Sequence, residues 1–234
     1  MGQDGCRQPR GGLGDDGRVP IVFVHGLSAS SRWWRAALPL LGEREVRLVD
    51  LPRFGRHFRP EGATGWLAAE LEAEAPVVLV GHSMGGLVCA SLAAERPELV
   101  RALVLVAPAG APGLRSLHAY ARGLVRTVVG ARPGFLRTLA EDAVRTGPEA
   151  LLLGALYATG QPFAGEVSAP TLLLWGGRDR LIPVELAADW QRAIPQARLE
   201  VIDEAGHVPM VETPSAFAER LLHFLDDLGD GAGV

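Results

Sequence analysis

Residues 81–85 read Gly81-His82-Ser83-Met84-Gly85, and the segments on either side leave this stretch little choice of shape. Before it runs Pro76-Val77-Val78-Leu79-Val80, an apolar run of strand type. After it, from Leu87 to Arg96, the chain is rich in good helix formers. A strand must therefore turn into a helix within a few residues, with a serine at the tip. Such a turn holds the serine in a strained backbone conformation. Side chains two residues before and after it would collide with strand or helix, and glycine at 81 and 85 removes those Cβ atoms. The serine hydroxyl is left exposed. The amide of Met84, at the helix N-terminus, points to where negative charge develops on an attacked carbonyl. A G-x-S-x-G match occurs in many turns, so its partners elsewhere in the chain decide its meaning.

Composition narrows the classes of function. The 234 residues suit one sizeable domain with a substantial core. A net charge of −4 lacks the basic excess of a nucleic-acid binder, and no apolar run is long enough to cross a bilayer. The expected partner is a small molecule, and the expected state a monomer or weak homodimer. Residues 1–18 are rich in Gly and Arg without the apolar segment of a secretory signal, so they read as a flexible leader and the expected location is cytoplasmic. Cys6 lies in that leader and Cys89 in the helix after Ser83. This is no disulfide framework, and Cys89 reads as a small core residue. All 23 basic residues are arginine, and the chain has neither lysine nor asparagine. GC-rich coding bias and selection for heat tolerance both produce that pattern. Either way, lysine Schiff-base and lysine-base mechanisms are excluded.

Apolar β-type runs recur at 21–24, 46–49, 77–80, 102–106, 171–175 and 199–202. Helical stretches separate most of them: 30–41, 65–74, 84–96, 184–194 and, at the end, 214–228. Continuously apolar strands alternating with helices predict a mostly parallel sheet covered on both faces. Pro97 ends the helix after Ser83. Thr213-Pro214 opens the last helix, with threonine as cap and proline at the first position. The alternation breaks between Pro108 and Pro170. There Leu114, Leu117, Ala121, Leu124, Val125 and Val128 recur at helical spacing, with Gly130 as a stop. Residues 136–144 and 151–156 predict two more helices. A helical insertion between core strands reads as a lid. The expected division is a core of 19–108 and 170–234 with a lid of 109–169. From Arg115 to Arg145 that lid carries six arginines and two acids, Glu141 and Asp142. They fit a solvated helical face, and they also fit recognition of an anionic substrate or carrier.

A serine is a poor nucleophile without a base, and the base needs an orienting acid. After the run 171–175 comes Gly176-Gly177-Arg178-Asp179, and after 199–202 comes Asp203-Glu204-Ala205-Gly206-His207. Both follow strand ends, and in an open parallel sheet the carboxyl ends of the strands share the edge where ligands bind. Asp203 is a rival acid, four residues before His207. At the first strand, His25-Gly26-Leu27-Ser28 aims the Leu27 amide at the point faced by the Met84 amide, which makes an oxyanion hole. His25 and His82 lie inside motifs where histidine supports loop packing.

These segments, with Asp50-Leu51-Pro52-Arg53-Phe54-Gly55 and Glu212-Thr213-Pro214, resemble the α/β-hydrolase superfamily in its small single-domain serine esterase-like branch. The likeness runs from about residue 20 to 228. It implies an α/β-hydrolase fold with a small lid, Ser83 as nucleophile, His207 as base and Asp179 as orienting acid, in that family's Ser–Asp–His order. Leu27 and Met84 would supply the oxyanion amides. Two departures stand out. Fewer than twenty loose residues precede the first strand and its His-Gly motif, so the family's first strand pair is expected to be truncated. Arg53 and His57 replace small residues of the family's turn after Asp50. The activity implied is hydrolysis of a carboxylic ester through an acyl-enzyme, with no metal or organic cofactor. The same triad serves thioesterases, acyltransferases and carbon–carbon bond hydrolases, and the fold also carries non-catalytic binding modules. Trp33, Trp34, Leu124 and Leu156 are the candidate wall of the substrate pocket, one tryptophan lining it and the other in the core.

Overall fold

The computed structural model describes residues 19–113, 117–130 and 133–230. The expected leader with Cys6, and Leu114, Arg115 and Arg132 of the expected lid, lie outside them.

Six parallel strands form one sheet: β1 (Ile21–Val24), β2 (Val46–Val49), β3 (Val77–His82), β4 (Val100–Val106), β5 (Thr171–Gly176) and β6 (Arg198–Ile202). Their order across the sheet is β2-β1-β3-β4-β5-β6. Among the described residues no strand pairs beyond β2, which is therefore an edge. The four inner strands are mostly Val, Leu and Ile because both faces are covered, whereas the edge strands β2 and β6 carry Arg47, Arg198 and Glu200 and are only partly buried. Side chains alternate between faces, so each strand feeds two cores. Val22, Val24, Leu79 and Leu103 pack with α1 (Ala63–Leu71), α2 (Met84–Glu95) and α5 (Ala187–Ala193). Ile21, Phe23, Val78 and Val80 pack on the other face with Trp34, Phe217, Leu221 and Phe224.

Register places the site. Val24 pairs with Gly81, His82 with Val106, and Gly176 with Ile202. The turns that follow β1, β3, β5 and β6 therefore open at one edge of the sheet. Between β4 and β5 lie α3 (Leu117–Gly130) and α4 (Pro133–Gly160), with no strand among the described residues of that stretch. α4 is broken at Gly147, whose φ of 72° no helix tolerates, followed by Pro148. The two helices read at 136–144 and 151–156 are its two halves. Before Pro214–Asp230, which is α7, comes the four-residue helix α6 (Pro209–Glu212).

Two local expectations are corrected. Residues 30–41 do not form one α-helix but two 3₁₀ turns, Ser31–Trp34 and Leu38–Leu41. Pro39 removes an amide there, and Ser31 is held from outside, its amide and hydroxyl donating to Asp50 at 2.6 and 3.0 Å. The Thr213 hydroxyl, read as the cap of the last helix, instead donates backward to the Pro209 carbonyl at 3.2 Å. Cys89 is fully buried, and burial pushes its thiol pKa far up, so it stays protonated. Among the described residues no helix is long and apolar enough to cross a membrane, and no cluster of His, Cys, Asp and Glu is arranged to hold a metal ion.

Candidate active site

Ser83 sits between β3 and α2 with φ 54° and ψ −120°, a left-handed conformation costly for a residue with a Cβ. The fold holds it there through β4. The Ser83 amide donates to the Val106 carbonyl at 2.9 Å, and the Ala109 amide donates to the Ser83 carbonyl at 2.9 Å. Gly85 is required by close approach, since a Cβ there would overlap the His25 carbonyl. Met84 is the first residue of α2, so its amide has no carbonyl partner inside the helix. Leu27 lies in the loop after β1, followed by Ser28 at φ 56°.

Asp179 and His207 meet although 28 residues separate them. The His207 Nδ1–H donates to Asp179 Oδ2 at 2.8 Å, and the two side chains are 4 % and 0 % exposed. Oδ1 of the same carboxylate accepts the amides of Leu181 at 2.8 Å and Ile182 at 2.9 Å, which fix its orientation. With Nδ1 engaged, Nε2 is the nitrogen of His207 left to exchange a proton. Asp203, the rival acid, is exposed.

The two motif histidines brace these loops. His82 donates from Nε2 to the His207 carbonyl at 2.9 Å. Burial, with the neighbouring His207 ring, pushes its pKa well below the usual histidine value. His25 donates from Nδ1 to the Gly26 carbonyl at 2.8 Å and accepts the Leu51 amide on Nε2 at 3.0 Å. Its pKa is also lowered, by burial. Both rings are thus held neutral; His25 joins two backbone groups, while His82 holds the His207 carbonyl and leaves its buried Nδ1 without a partner among the described residues.

Ser83 and His207 line one cavity of ≈ 160 Å³. Its walls are mostly apolar: Leu27, Trp33, Leu124, Phe135, Leu139 and Leu151. Trp33 is on the wall, edge-on to Phe135 at 4.9 Å between ring centroids. Two of the four wall candidates are not there, one of them the tryptophan that was expected in the core. Trp34 is fully buried against Phe23 and Phe217. Leu156 is 48 % exposed because the buried face of this half of α4 runs through Ala150, Gly154 and Ala158, with Leu151 the side chain that reaches the cavity. A larger hollow of ≈ 520 Å³ lies at the amino ends of the strands, lined by Val19, Ile21, Val78 and Arg101, far from this chemistry.

Two contributors were not read from the sequence. Tyr120 of α3 faces the cavity, 5 % exposed, and burial followed by the Asp179 charge raises its pKa to about 12. Its position in the stripe 117, 121, 124 was the available signal. Asp142, 2 % exposed, accepts Ser30 Oγ at 3.0 Å, Arg32 Nη2 at 2.5 Å and Trp33 Nε1 at 2.9 Å. It ties α4 to the loop that carries Leu27.

The chain matches the profile described as "Alpha/beta hydrolase family" over residues 21–220. A pimeloyl-[acyl-carrier protein] methyl ester esterase of Aeromonas hydrophila subsp. hydrophila is 31% identical, over 88% of this chain and 94% of that protein. Among solved structures, a membrane phospholipase A described as a bacterial virulence factor superposes with a TM-score of 0.77 at 27% identity, covering 92% of this chain and 81% of that one. A serine hydrolase involved in carbazole degradation gives a TM-score of 0.71 at 26% identity, covering 89% and 91%. With the profile running from β1 into α7, through the serine turn and the Asp179–His207 pair, the chain belongs to the alpha/beta hydrolase family.

Proposed function

We propose that the chain hydrolyses carboxylic esters through an acyl-enzyme on Ser83. The observation that carries this reading is the Asp179–His207 hydrogen bond beside the strained Ser83 turn, with Ser83 and His207 on one apolar cavity. Ser83 Oγ attacks the ester carbonyl while His207 Nε2 takes its proton, and Asp179 holds the tautomer this needs. The Leu27 and Met84 amides receive the oxyanion, each donor being worth ~3 kcal/mol in the transition state. His207 returns the proton to the departing alkoxide. It then activates the water that releases the acid.

The Aeromonas relative is named for a pimeloyl carrier-protein methyl ester. For this chain the cavity supports a short to medium, uncharged acyl group. A cavity of ≈ 160 Å³ is close to one that holds benzene, so an acyl chain of about six carbons fills it. Residues 109–169 act as the lid over this group, with Leu124, Phe135, Leu139 and Leu151 as its inner surface.

The test is covalent labelling. A fluorophosphonate should add one equivalent to the parent and none to Ser83→Ala, and the variant should lose at least about a thousandfold in p-nitrophenyl ester turnover with unchanged melting. Full activity in a folded Ser83→Ala protein would refute the proposal.

A further inference from the structure

Beside the His207 ring a second hollow, of ≈ 250 Å³, shares Thr127, His207 and Glu212 with the cavity at Ser83. Three arginines from two elements face it: Arg126 of α3, and Arg178 and Arg180 from the loop after β5. α3 lies so close to that loop that a Cβ on Gly123 would overlap the Arg180 carbonyl, which keeps the arginines on one wall. All three are exposed, and within the described residues none makes an ion pair. Arg32, Arg44, Arg47, Arg137 and Arg198 elsewhere are paired. Two acids face the same hollow, Glu204 and Glu212. Glu212 is partly buried and already accepts the Gly206 amide through Oε2. In a chain of net charge −4, this hollow keeps a local positive excess.

The reaction dictates which end of a substrate comes here. His207 hands its proton to the departing alkoxide, so the alcohol part of an ester lies on the His207 side, while the acyl part fills the apolar cavity. Resting on the esterase reading above, we propose that Arg126, Arg178 and Arg180 form a subsite for an anionic group, carboxylate or phosphate, on the alcohol part of the ester. Guanidinium groups suit both, because their donors match the oxygens in pairs.

Three acetate esters test this: 4-acetoxybenzoate, 4-acetoxyphenyl phosphate and the neutral 4-acetoxybenzamide. The parent should favour an anionic ester by about tenfold in kcat/KM at low ionic strength, as expected of a few exposed charge contacts, and lose most of that at high salt. The ratio of anionic to neutral ester should fall toward one in Arg126→Gln/Arg178→Gln/Arg180→Gln. Arg101→Gln, at the amino end of β4 and the far end of the sheet, removes charge elsewhere and should leave the ratio as it is. Because Arg178 and Arg180 flank Asp179, Arg126→Glu on α3 is read as well and should reverse the preference. Preference for one anion alone supports the subsite and identifies its group. Equal rates in the parent, or a ratio that survives both arginine variants, would overturn it. Calorimetric binding of 4-acetoxyphenyl phosphate to Ser83→Ala separates this from the catalytic reading. Arginine-dependent binding with no ester turnover in the parent sinks the esterase proposal and leaves the subsite standing. Turnover without charge preference does the reverse.

Discussion

Replacing Asp142 by alanine should unlatch α4 from the loop after β1, at Ser30, Arg32 and Trp33. The carboxylate is buried and accepts from Ser30, Arg32 and Trp33. Arg32 loses least, because it is partly exposed and keeps Glu141 at 2.7 Å. Trp33 Nε1 is held inside the protein and would have no acceptor, a penalty of about 1–3 kcal/mol. The Ser30 hydroxyl loses one further bond, worth roughly 1 kcal/mol. The expected loss is therefore about 2–4 kcal/mol. Asparagine keeps an acceptor where Oδ2 meets Ser30 and Trp33 and turns an amide donor toward Arg32, so Asp142→Asn should lose about half as much or less. Urea unfolding followed by circular dichroism measures both, compared at a common m-value. Trp33 is also a wall of the cavity, so Asp142→Ala should lower kcat/KM for short esters by roughly ten- to a hundredfold through misplacement of that wall. A stability loss in Asp142→Ala under about 1 kcal/mol, or one smaller than in Asp142→Asn, would refute the latch.

Asp179→Asn should cut kcat by on the order of 10⁴ because the wrong histidine tautomer is then favoured, whereas Asp203→Asn, at an exposed site, should cost little; reversed losses would mean the acid is misassigned. Leu139→Ala enlarges the cavity and should shift the best p-nitrophenyl ester toward longer acyl chains, at roughly 0.8 kcal/mol per methylene accommodated. Leu156→Ala, on an outward face, should leave that chain-length profile unchanged. Stability should fall on acidification. His25 and His82 have folded pKa values below the usual 6.5, so below pH 6.5 the unfolded chain binds protons that the native state refuses. The unfolding free energy should drop between pH 7.5 and 5.5, by up to about 1.4 kcal/mol per pH unit for each histidine. Glu141, lowered to about 2 chiefly by Arg32, loses its contribution only below its unfolded value of 4.5, outside this window. His82→Gln should flatten the slope, and an equally steep slope in that variant would count against the assignment.

Much of the fold was legible because it depends on local pattern. Continuous Val/Leu/Ile runs specify strands buried on both faces, and the glycines around Ser83 specify a turn that other residues cannot make. Asp179 and His207 were legible as residues just past strand ends, since a parallel sheet gathers those ends at one edge. Pairings between distant segments were not legible. Nothing near Trp33 and Trp34 says which one meets the cavity; Asp142, more than a hundred residues away, accepts the indole N–H of Trp33, while Phe23 and Phe217 enclose Trp34. The apolar positions of the separate helix read at 151–156 put Leu156 among the wall candidates, but the buried face of that helix runs through Ala150, Gly154 and Ala158 and leaves Leu156 outside. Residues 30–41 have helical composition, yet Ser31 is bonded across to Asp50 and the segment tightens into 3₁₀ turns. Periodicity is a property of neighbours along the chain, so the sequence alone determines elements and the strand edge at which Ser83, Asp179 and His207 gather. Which side chains touch across that edge depends on how separate elements pack, and only the tertiary structure decides it.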